Sequence, residues 1–583
     1  MLTTFTAPAF AKTWYIEDGD ITISASETKG TNKVSQGAEP EVEDTGTIIT
    51  NREKDASSHT VTINAGNDKV EVTLDNVNIK ADSGSALISK GDVTLTLKGD
   101  NHLTGGNGGS SSYGGDGITS SGSLTISGGT VTATGGDSTS SVGSGGSGIY
   151  SVSGDVTISG GTVNANGGDG KNGSGGGSGI DSSGGVTVSG GTVTANGGDS
   201  KDGDGGSGGY GISSSGVAIS GGTVTANGGD GGSGSGSHGG NGIYSSSGVA
   251  ISGGAVTANG GDSKDGSGGN GIYSSGGVTI SSGSTVTANG GDGEDGSGGR
   301  GITSNGGVTV SGGTVNAKGG SGKNGNGGDG IRSFNPVAIS GGTVNANGGN
   351  SDYSNGGDGI RSLDHVAISG GTVKSNGGSG NLSGGNGIIS YDIDLSGSLE
   401  LTAKAGSPNG KALSRVGSEL DLNTIKDKLD PGAKVTATDA DGKVIQQVSI
   451  PRPVEPEEPS SSSDSGSATP SADGGSSTPS APASPLPGLT VTDKDGQRIS
   501  YTSTQSGNTL TVCVGRFMAS LRISLATLRQ LRAEGIETIT FQTILCSTTL
   551  SVDELLAMGG EDTEVVLTHH IRSSTLTVGG KAV

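Results

Sequence analysis

The chain has 583 residues, of which 122 are Gly, and a formal charge of −23 with a pI near 4.6. An acidic surface of this size repels nucleic acid and anionic membranes, and no run of about 18 apolar residues is present to span a bilayer. With only 28% of residues in the AVILMFWYC set and two cysteines, Cys513 and Cys546, the chain is neither a conventional globular core throughout nor a disulfide scaffold.

At the N-terminus, Ala9-Phe10-Ala11 has the small-x-small form of a signal-peptidase site, with Lys12 as the mature start. Residues 1–11 therefore read as the remnant of a leader, and the protein as secreted or displayed at the cell surface. Residues 12–115 carry longer alternating runs such as KVEVTLDNVNIKA and DVTLTLKGDNHLTG. They read as irregular first coils and a cap.

Residues 116–405 are a repeat array. The dipeptide Gly-Ile recurs with Ile at 118, 149, 180, 212, 243, 272, 302, 331, 360 and 388, at gaps of 28 to 32 residues. One copy, 242–261, reads GIYSSSGVAISGGAVTANGG. Each unit holds three short alternating runs, I-x-S, V-x-I and V-x-A, too short for helices and of the right length for strands. Gly-Gly and Asn-Gly-Gly punctuation supplies corners with positive φ. Three strands, two corners and one loop make one coil of a right-handed parallel β-helix, with like residues stacked in columns. A unit with so few apolar side chains does not fold alone. Residues 406–450 then read as the C-terminal capping segment.

Residues 451–487, rich in Pro, Ser, Thr and Glu, have the composition of a solvated, disordered linker. Residues 488–583 read as a small α+β domain. Helices are expected at 524–534, capped by Ser524 and stopped by Gly535, and at 551–558, capped by Ser551. Cys513 and Cys546 are expected either to pair or to sit as two small buried hydrophobes.

The motif G-x-V-T-I-S-G-G-T-V-T-A-x-G-G with intervening G-I resembles the Gly-rich β-helical carbohydrate-binding surface proteins of Gram-positive anaerobes, which are similar in architecture to pectin lyases. The run VEVTLDNVNIKADSGSALISKGDVTLTLKGDNHLTGG, beginning at Val70, and the N-terminal TWYIEDGDITIS carry the same resemblance. It covers about residues 12–405. It implies an extracellular protein that binds cellulose or acidic polysaccharide, with calcium.

The columns locate candidate sites. Two residues after each Ile stands Ser, expected inward as a hydroxyl ladder. The Asn column at 166, 196, 227, 259, 289, 347 and 376 is expected at a corner, bonding backbone and tolerating positive φ. One residue after each Ile the column faces outward and contains Tyr150, Tyr244, Tyr273, Arg332 and Arg361. Aromatic rings followed by guanidiniums could stack a sugar and pair its carboxylates. After each A-x-G-G stands Asp, at 137, 169, 199, 230, 262 and 292, beside loops that add Asp202, Asp204, Asp265 and Asp295. Carboxylates on consecutive coils could bind Ca2+ through oxygen, or else act as turn formers. Asp439-x-Asp441-Gly442 and Asp493-x-Asp495-Gly496 mimic the start of an EF-hand loop but lack its later ligands, so they read as hairpin turns.

Catalysis has little support. His59, His102, His238, His365, His569 and His570 are scattered, and the one local constellation is Arg332 and Arg361 with Asp329, Asp358 and Asp364. The expected function is therefore non-enzymatic: a monomeric β-helix presenting a flat face to a polysaccharide or cell-surface glycan. The alternatives are a structural stalk or adhesin that displays residues 488–583, and a polysaccharide lyase.

Overall fold

The structure is a computed structural model. It describes residues 11–109, 112–140, 143–201, 205–234, 236–415, 417–451, 488–493, 497–499, 501–506, 508–514, 518–543, 547–560, 563–569, 574–579 and 581–582. The proposed signal-peptidase site at residues 9–10, the linker reading of 452–487, Asp202, Asp204, Asp495, Cys546 and His570 fall outside them. The chain divides into two units, 1–453 and 454–583.

The first unit is a parallel β-helix. Each Gly-Ile unit contributes one coil, and each coil pairs in parallel with the one before and the one after. Ile212, Ser214, Val217 and Ile219 lie directly over Ile180, Ser182, Val186 and Val188, and under Ile243, Ser245, Val249 and Ile251. The alternation I-x-S, V-x-I, V-x-A sends its first and third members inward, where Ile243, Val249, Ile251, Val256 and Ala258 are at most 2% exposed. The core is a single column of such residues running from Trp14 to Val448. Three strands per coil is the rule at coils such as Ile149–Ser151, Val156–Ile158 and Thr162–Asn166. In others two of them run together through a corner, as in Ile243–Ile251 and His365–Asn376.

Both ends are closed by antiparallel strands. Ile21–Ala25 pairs in parallel with Val61–Asp75 and antiparallel with Asn32–Gln36, which in turn pairs with Val42–Asp44. Trp14 is buried there and donates Nε1–H to Asp44 Oδ2 at 2.7 Å. At the other end Lys434–Thr438 stacks on Asp392–Lys404 and is covered by the antiparallel strand Val444–Ser449. The turn between those two strands is the Asp439-x-Asp441 segment, where Asp439 Oδ1 accepts the Asp441 and Lys443 N–H groups. These caps shield the last coils' open edges from further pairing.

The two Gly-rich corners work differently. In Ser-Gly-Gly the second Gly has positive φ on every regular coil, for example +80° at Gly191, +78° at Gly222 and +76° at Gly254. The Asn-Gly-Gly corner does not use the left-handed region. Its glycines are there because backbone crowds them: a Cβ on Gly228 would lie 2.0 Å from the Gly240 oxygen at the far end of the same coil's loop, and one on Gly229 2.0 Å from the Gly198 oxygen of the coil before. The Asn column, expected to tolerate positive φ, has none at its own positions either. It forms an amide ladder instead, with Nδ2 of Asn196, Asn227, Asn259 and Asn289 each donating at 2.8 Å to Oδ1 of the coil before.

The second unit packs two sheets. One is antiparallel: Leu489–Thr492, Ala519–Ser524, Glu564–His569, Ser574–Val578 and Lys581–Ala582. The other is mixed: Thr502–Ser506, Thr509–Cys513, Thr538–Gln542 and Ser547–Ser551. Helices Leu525–Ala533 and Val552–Leu556 are capped by Ser524 and Ser551, whose hydroxyls accept the Thr527 and Glu554 N–H groups. Gly535, at φ +94°, follows the first helix. His569 is fully buried against the Phe541 ring at 4.8 Å, between the Thr543 and Thr548 hydroxyls, and burial lowers its pKa. Cys513 is half-buried.

The contact at the Asn-Gly-Gly corner can be tested directly. Gly229→Ala drives a methyl into the carbonyl beneath and is expected to cost about 2 kcal/mol. Gly160→Ala meets nothing within 4 Å and has no positive φ, so its expected cost is within about 0.5 kcal/mol. Denaturant titration of the two variants measures the difference; equal stabilities would remove the close-approach explanation.

Candidate functional site

The columns read from the sequence become real rows once the coils stack. The inward Ser column is buried from Ser120 to Ser390. Its hydroxyls donate to corner carbonyls, for example Ser151 Oγ to the Gly154 oxygen at 2.7 Å and Ser304 Oγ to the Gly307 oxygen at 2.7 Å. This is a structural ladder: it satisfies backbone acceptors that the corner leaves without partners.

The first strand of each coil builds one sheet, the first, as the second strand builds the second; the outward row of the first sheet runs Thr119, Tyr150, Asp181, Ser213, Tyr244, Tyr273, Thr303, Arg332, Arg361 and Ile389, each paired with the next. Tyr150 is therefore isolated from Tyr244 by Asp181 and Ser213. Tyr244 and Tyr273 stack at 5.4 Å between ring centroids and 4° between planes. Tyr210 stacks on the other side of Tyr244 at 5.2 Å and 13°. Both faces of the Tyr244 ring and one face of Tyr273 are thus taken, and the expectation that these rings stack on a sugar is corrected for Tyr244. Stacking along the helix axis turns the ring edges, not the faces, outward. Burial first, then neighbouring Tyr244 and Asp181, pushes the Tyr210 hydroxyl above its usual range.

Three guanidiniums follow on three consecutive coils. Arg332 and Arg361 are joined by Arg300, which sits two residues before its coil's Ile and was not singled out from the sequence. That second column reads Asp116, Ser147, Ser178, Tyr210, Asn241, Asn270, Arg300, Asp329, Asp358 and Asn386, and flanks the outward row. The variable character of the column hid both Tyr210 and Arg300; the only available signal was its fixed offset from Gly-Ile.

Asp329 and Asp358 lie among the guanidiniums with side chains 8% and 7% exposed. Asp329 Oδ2 is 3.4 Å from Arg300 Nε and 3.7 Å from Arg332 Nη1, and Asp358 Oδ2 is 3.3 Å from Arg361 Nη1. Each carboxylate also accepts backbone N–H from the next coil, Asp358 N to Asp329 Oδ1 at 2.9 Å and Asn386 N to Asp358 Oδ1 at 2.6 Å. Burial, and then the charge of Asp329, raises Asp358 to about 6. Burial and the neighbouring Arg300 lower Arg332. The Nε atoms of Arg300, Arg332 and Arg361 are buried without a hydrogen bond, while the side chains stay 34%, 21% and 37% exposed. Three cations against two carboxylates leave a local positive excess on a chain of net charge −23. Asp364, the remaining member of the constellation read from the sequence, is exposed and pairs with His365 at 3.2 Å.

The Asp row also forms, with a different job. Asp137 Oδ1 accepts the Asp169 N–H, Asp169 that of Asp199, Asp199 that of Asp230, Asp230 that of Asp262 and Asp262 that of Asp292, all between 2.7 and 3.0 Å. Backbone donors, with Lys171 beside Asp137 and Lys201 paired to Asp169, offset the stacked charge. An open groove of about 510 Å3 runs along Asp230, Asp262 and Asp292 and is bordered by Lys264 and Lys323. Among the described residues no three His, Cys, Asp or Glu side chains gather as a metal site. The row does not fit a dedicated calcium cage: each carboxylate spends one oxygen on backbone, and Lys171 and Lys201 lie within reach of the other oxygen of Asp137 and Asp169.

The beta helix repeat family model matches the chain over residues 124–148, 156–178, 217–241 and 337–360. Each matched segment runs from a second-sheet strand through the third strand and the Gly-rich loop to the threshold of the next coil. No curated protein and no solved structure matches the chain.

If the Asp row is a backbone device, acceptor geometry matters and charge does not. Asp199→Ala strands the Asp230 N–H and is expected to cost about 1 kcal/mol. Asp199→Asn keeps the accepting oxygen and is expected to be neutral. Equilibrium unfolding of both variants decides; a loss of similar size in Asp199→Asn would mean that the charge itself is needed.

Proposed function

We propose that this parallel β-helix is a non-catalytic, extracellular carbohydrate-binding protein that holds an acidic polysaccharide along the outer face of its first sheet. The observation that carries the reading is the guanidinium row, Arg300, Arg332 and Arg361, on consecutive coils of a strongly acidic chain. Guanidinium pairs planar carboxylates through two parallel hydrogen bonds, and a polyuronate offers one carboxylate per sugar along an extended chain. The partly open side chains, which leave part of each guanidinium facing outward, support an external anion as a further partner. Asp329 and Asp358 hold the guanidiniums in place. They are too covered, and too committed to backbone donors, to attack a substrate, and this supports binding rather than turnover.

The full-length protein is expected to retain polygalacturonate. Arg332→Ala/Arg361→Ala is expected to weaken retention on the order of 10- to 100-fold. Unchanged affinity in that variant refutes the site. Release of an unsaturated product absorbing in the ultraviolet makes the protein a lyase instead, and failure to bind either polygalacturonate or cellulose leaves the stalk reading. Repeating the titration with EDTA and with added calcium tests whether Asp230, Asp262 and Asp292 recruit the cation.

The pH dependence follows from Asp358. Above about 6 its ionised carboxylate offsets Arg361, and below that it is neutral and the cluster's positive excess grows. Uronate carboxylates stay charged down to roughly pH 4. Affinity for polygalacturonate is therefore expected to rise between pH 7.5 and 5.5, and Asp358→Asn to hold the higher affinity at both. Isothermal titration at the two pH values measures it.

A further inference from the structure

One more column changes character where the guanidiniums begin. Three residues after each Ile, at the corner that ends the first strand, the chain reads Ser121, Val152, Ser183, Ser215, Ser246, Ser275, Asn305, Phe334, Leu363 and Tyr391. On the first seven of the ten coils the position is Ser or Asn, with Val152 the one exception. On the last three it becomes large and apolar, the same stretch in which the neighbouring outward column carries Arg332, Arg361 and Ile389.

These side chains are not core. Phe334 is 45% and Tyr391 65% exposed, and Leu363 is half-buried between them. The Phe334 and Leu363 N–H groups donate to the Ser304 and Ser333 oxygens of the coils before, so the two lie one above the other. Tyr391 reaches the same corner on the next coil, immediately before Asp392, which pairs with His365. Phe334 and Tyr391 are two coils, or about 10 Å, apart along the axis. The Arg332 guanidinium carbon lies over one face of the Phe334 ring, 5.3 Å from its centroid, so ridge and cation row adjoin and the ring's other face is the one left for a sugar.

We infer that Phe334, Leu363 and Tyr391 form an apolar subsite on which an acidic glycan lays its sugar-ring faces while its carboxylates meet Arg332 and Arg361. The inference rests on the reading of this face as glycan-binding and adds an aromatic platform beside the guanidiniums that Tyr244, stacked on both faces, does not supply. The shape argues for a chain ligand rather than a folded partner. A stable protein interface needs about 800 Å2 on each side. This ridge is one side chain wide and bordered by Asp364, His365, Asp392 and Arg415, which no broad apolar interface would retain at its centre. A glycan running parallel to the helix axis crosses both rings and passes both guanidiniums. The exposed C–H face of a pyranose stacks on an aromatic ring, and the acidic group turns toward the cation.

The test uses the full chain with polygalacturonate. Phe334→Ala/Tyr391→Ala is expected to weaken binding about tenfold with an unchanged melting temperature, because neither side chain is core. That loss is expected to persist at high salt, where the arginine contribution is screened. Phe334→Trp is expected to keep affinity and to shift its fluorescence to the blue on binding. Wild-type affinity in the double alanine variant, with Arg332→Ala/Arg361→Ala still impaired, overturns the subsite and leaves the guanidinium site standing. An unshifted Phe334→Trp spectrum at saturation overturns it as well. If the unsubstituted protein does not bind polygalacturonate, both readings fall together.

Discussion

Everything in the first unit follows from one requirement: each coil must lie directly on the last, in register, over its whole contour. Parallel strands about 4.8 Å apart leave room for an ordinary Cβ only where side chains point in or out. At the Asn-Gly-Gly corner the backbone turns across its own stacking direction, and a carbonyl of one coil faces the Cα of the next. Only Gly fits. The glycines of this corner are therefore a packing requirement rather than a mark of looseness, and its repetition along the array contributes to the unusual composition.

The same register makes polar burial affordable. A Ser, Asn or Asp placed once in a coil finds its partner in the copy above or below. Serine hydroxyls take corner carbonyls, asparagine amides take each other, and aspartates take the next coil's N–H. A stack of six carboxylates would repel if each stood alone. Here each is an acceptor in a chain of backbone donors, and lysines stand beside two of them.

Much of this was legible because periodicity is a strong signal. The spacing of Gly-Ile located the coils, and the alternation within GIYSSSGVAISGGAVTANGG assigned inward and outward columns correctly. What period alone could not supply was direction within a column. Tyr244 and Tyr273 were visible as neighbours, but whether their rings would offer faces or edges depends on the stack that Tyr210 completes. Positive φ was read into both Gly corners, and one of them uses glycine for clearance instead. Arg300 lay in a column too variable to read as a column. Asp329 and Asp358 near it are buried only once the adjacent coils stack, which no single unit reveals.

A repeat array also separates structure from function in an unusual way. Residues that hold the coil must recur, because every coil faces the same problem. A column that is kept along its whole length therefore reports on folding. A column that is kept on some coils and changes on others reports on something folding does not demand. The inward Ile, Ser and Val columns are of the first kind. The outward column and the corner column beside it are of the second. On coils 331 and 360 the outward column turns to arginine, and the corner column turns from small or polar residues to Phe334 and Leu363. Two columns departing from the repeat at one place, on the same outer edge, is a change that the scaffold's own needs do not explain, and it is the change on which the proposed glycan site rests.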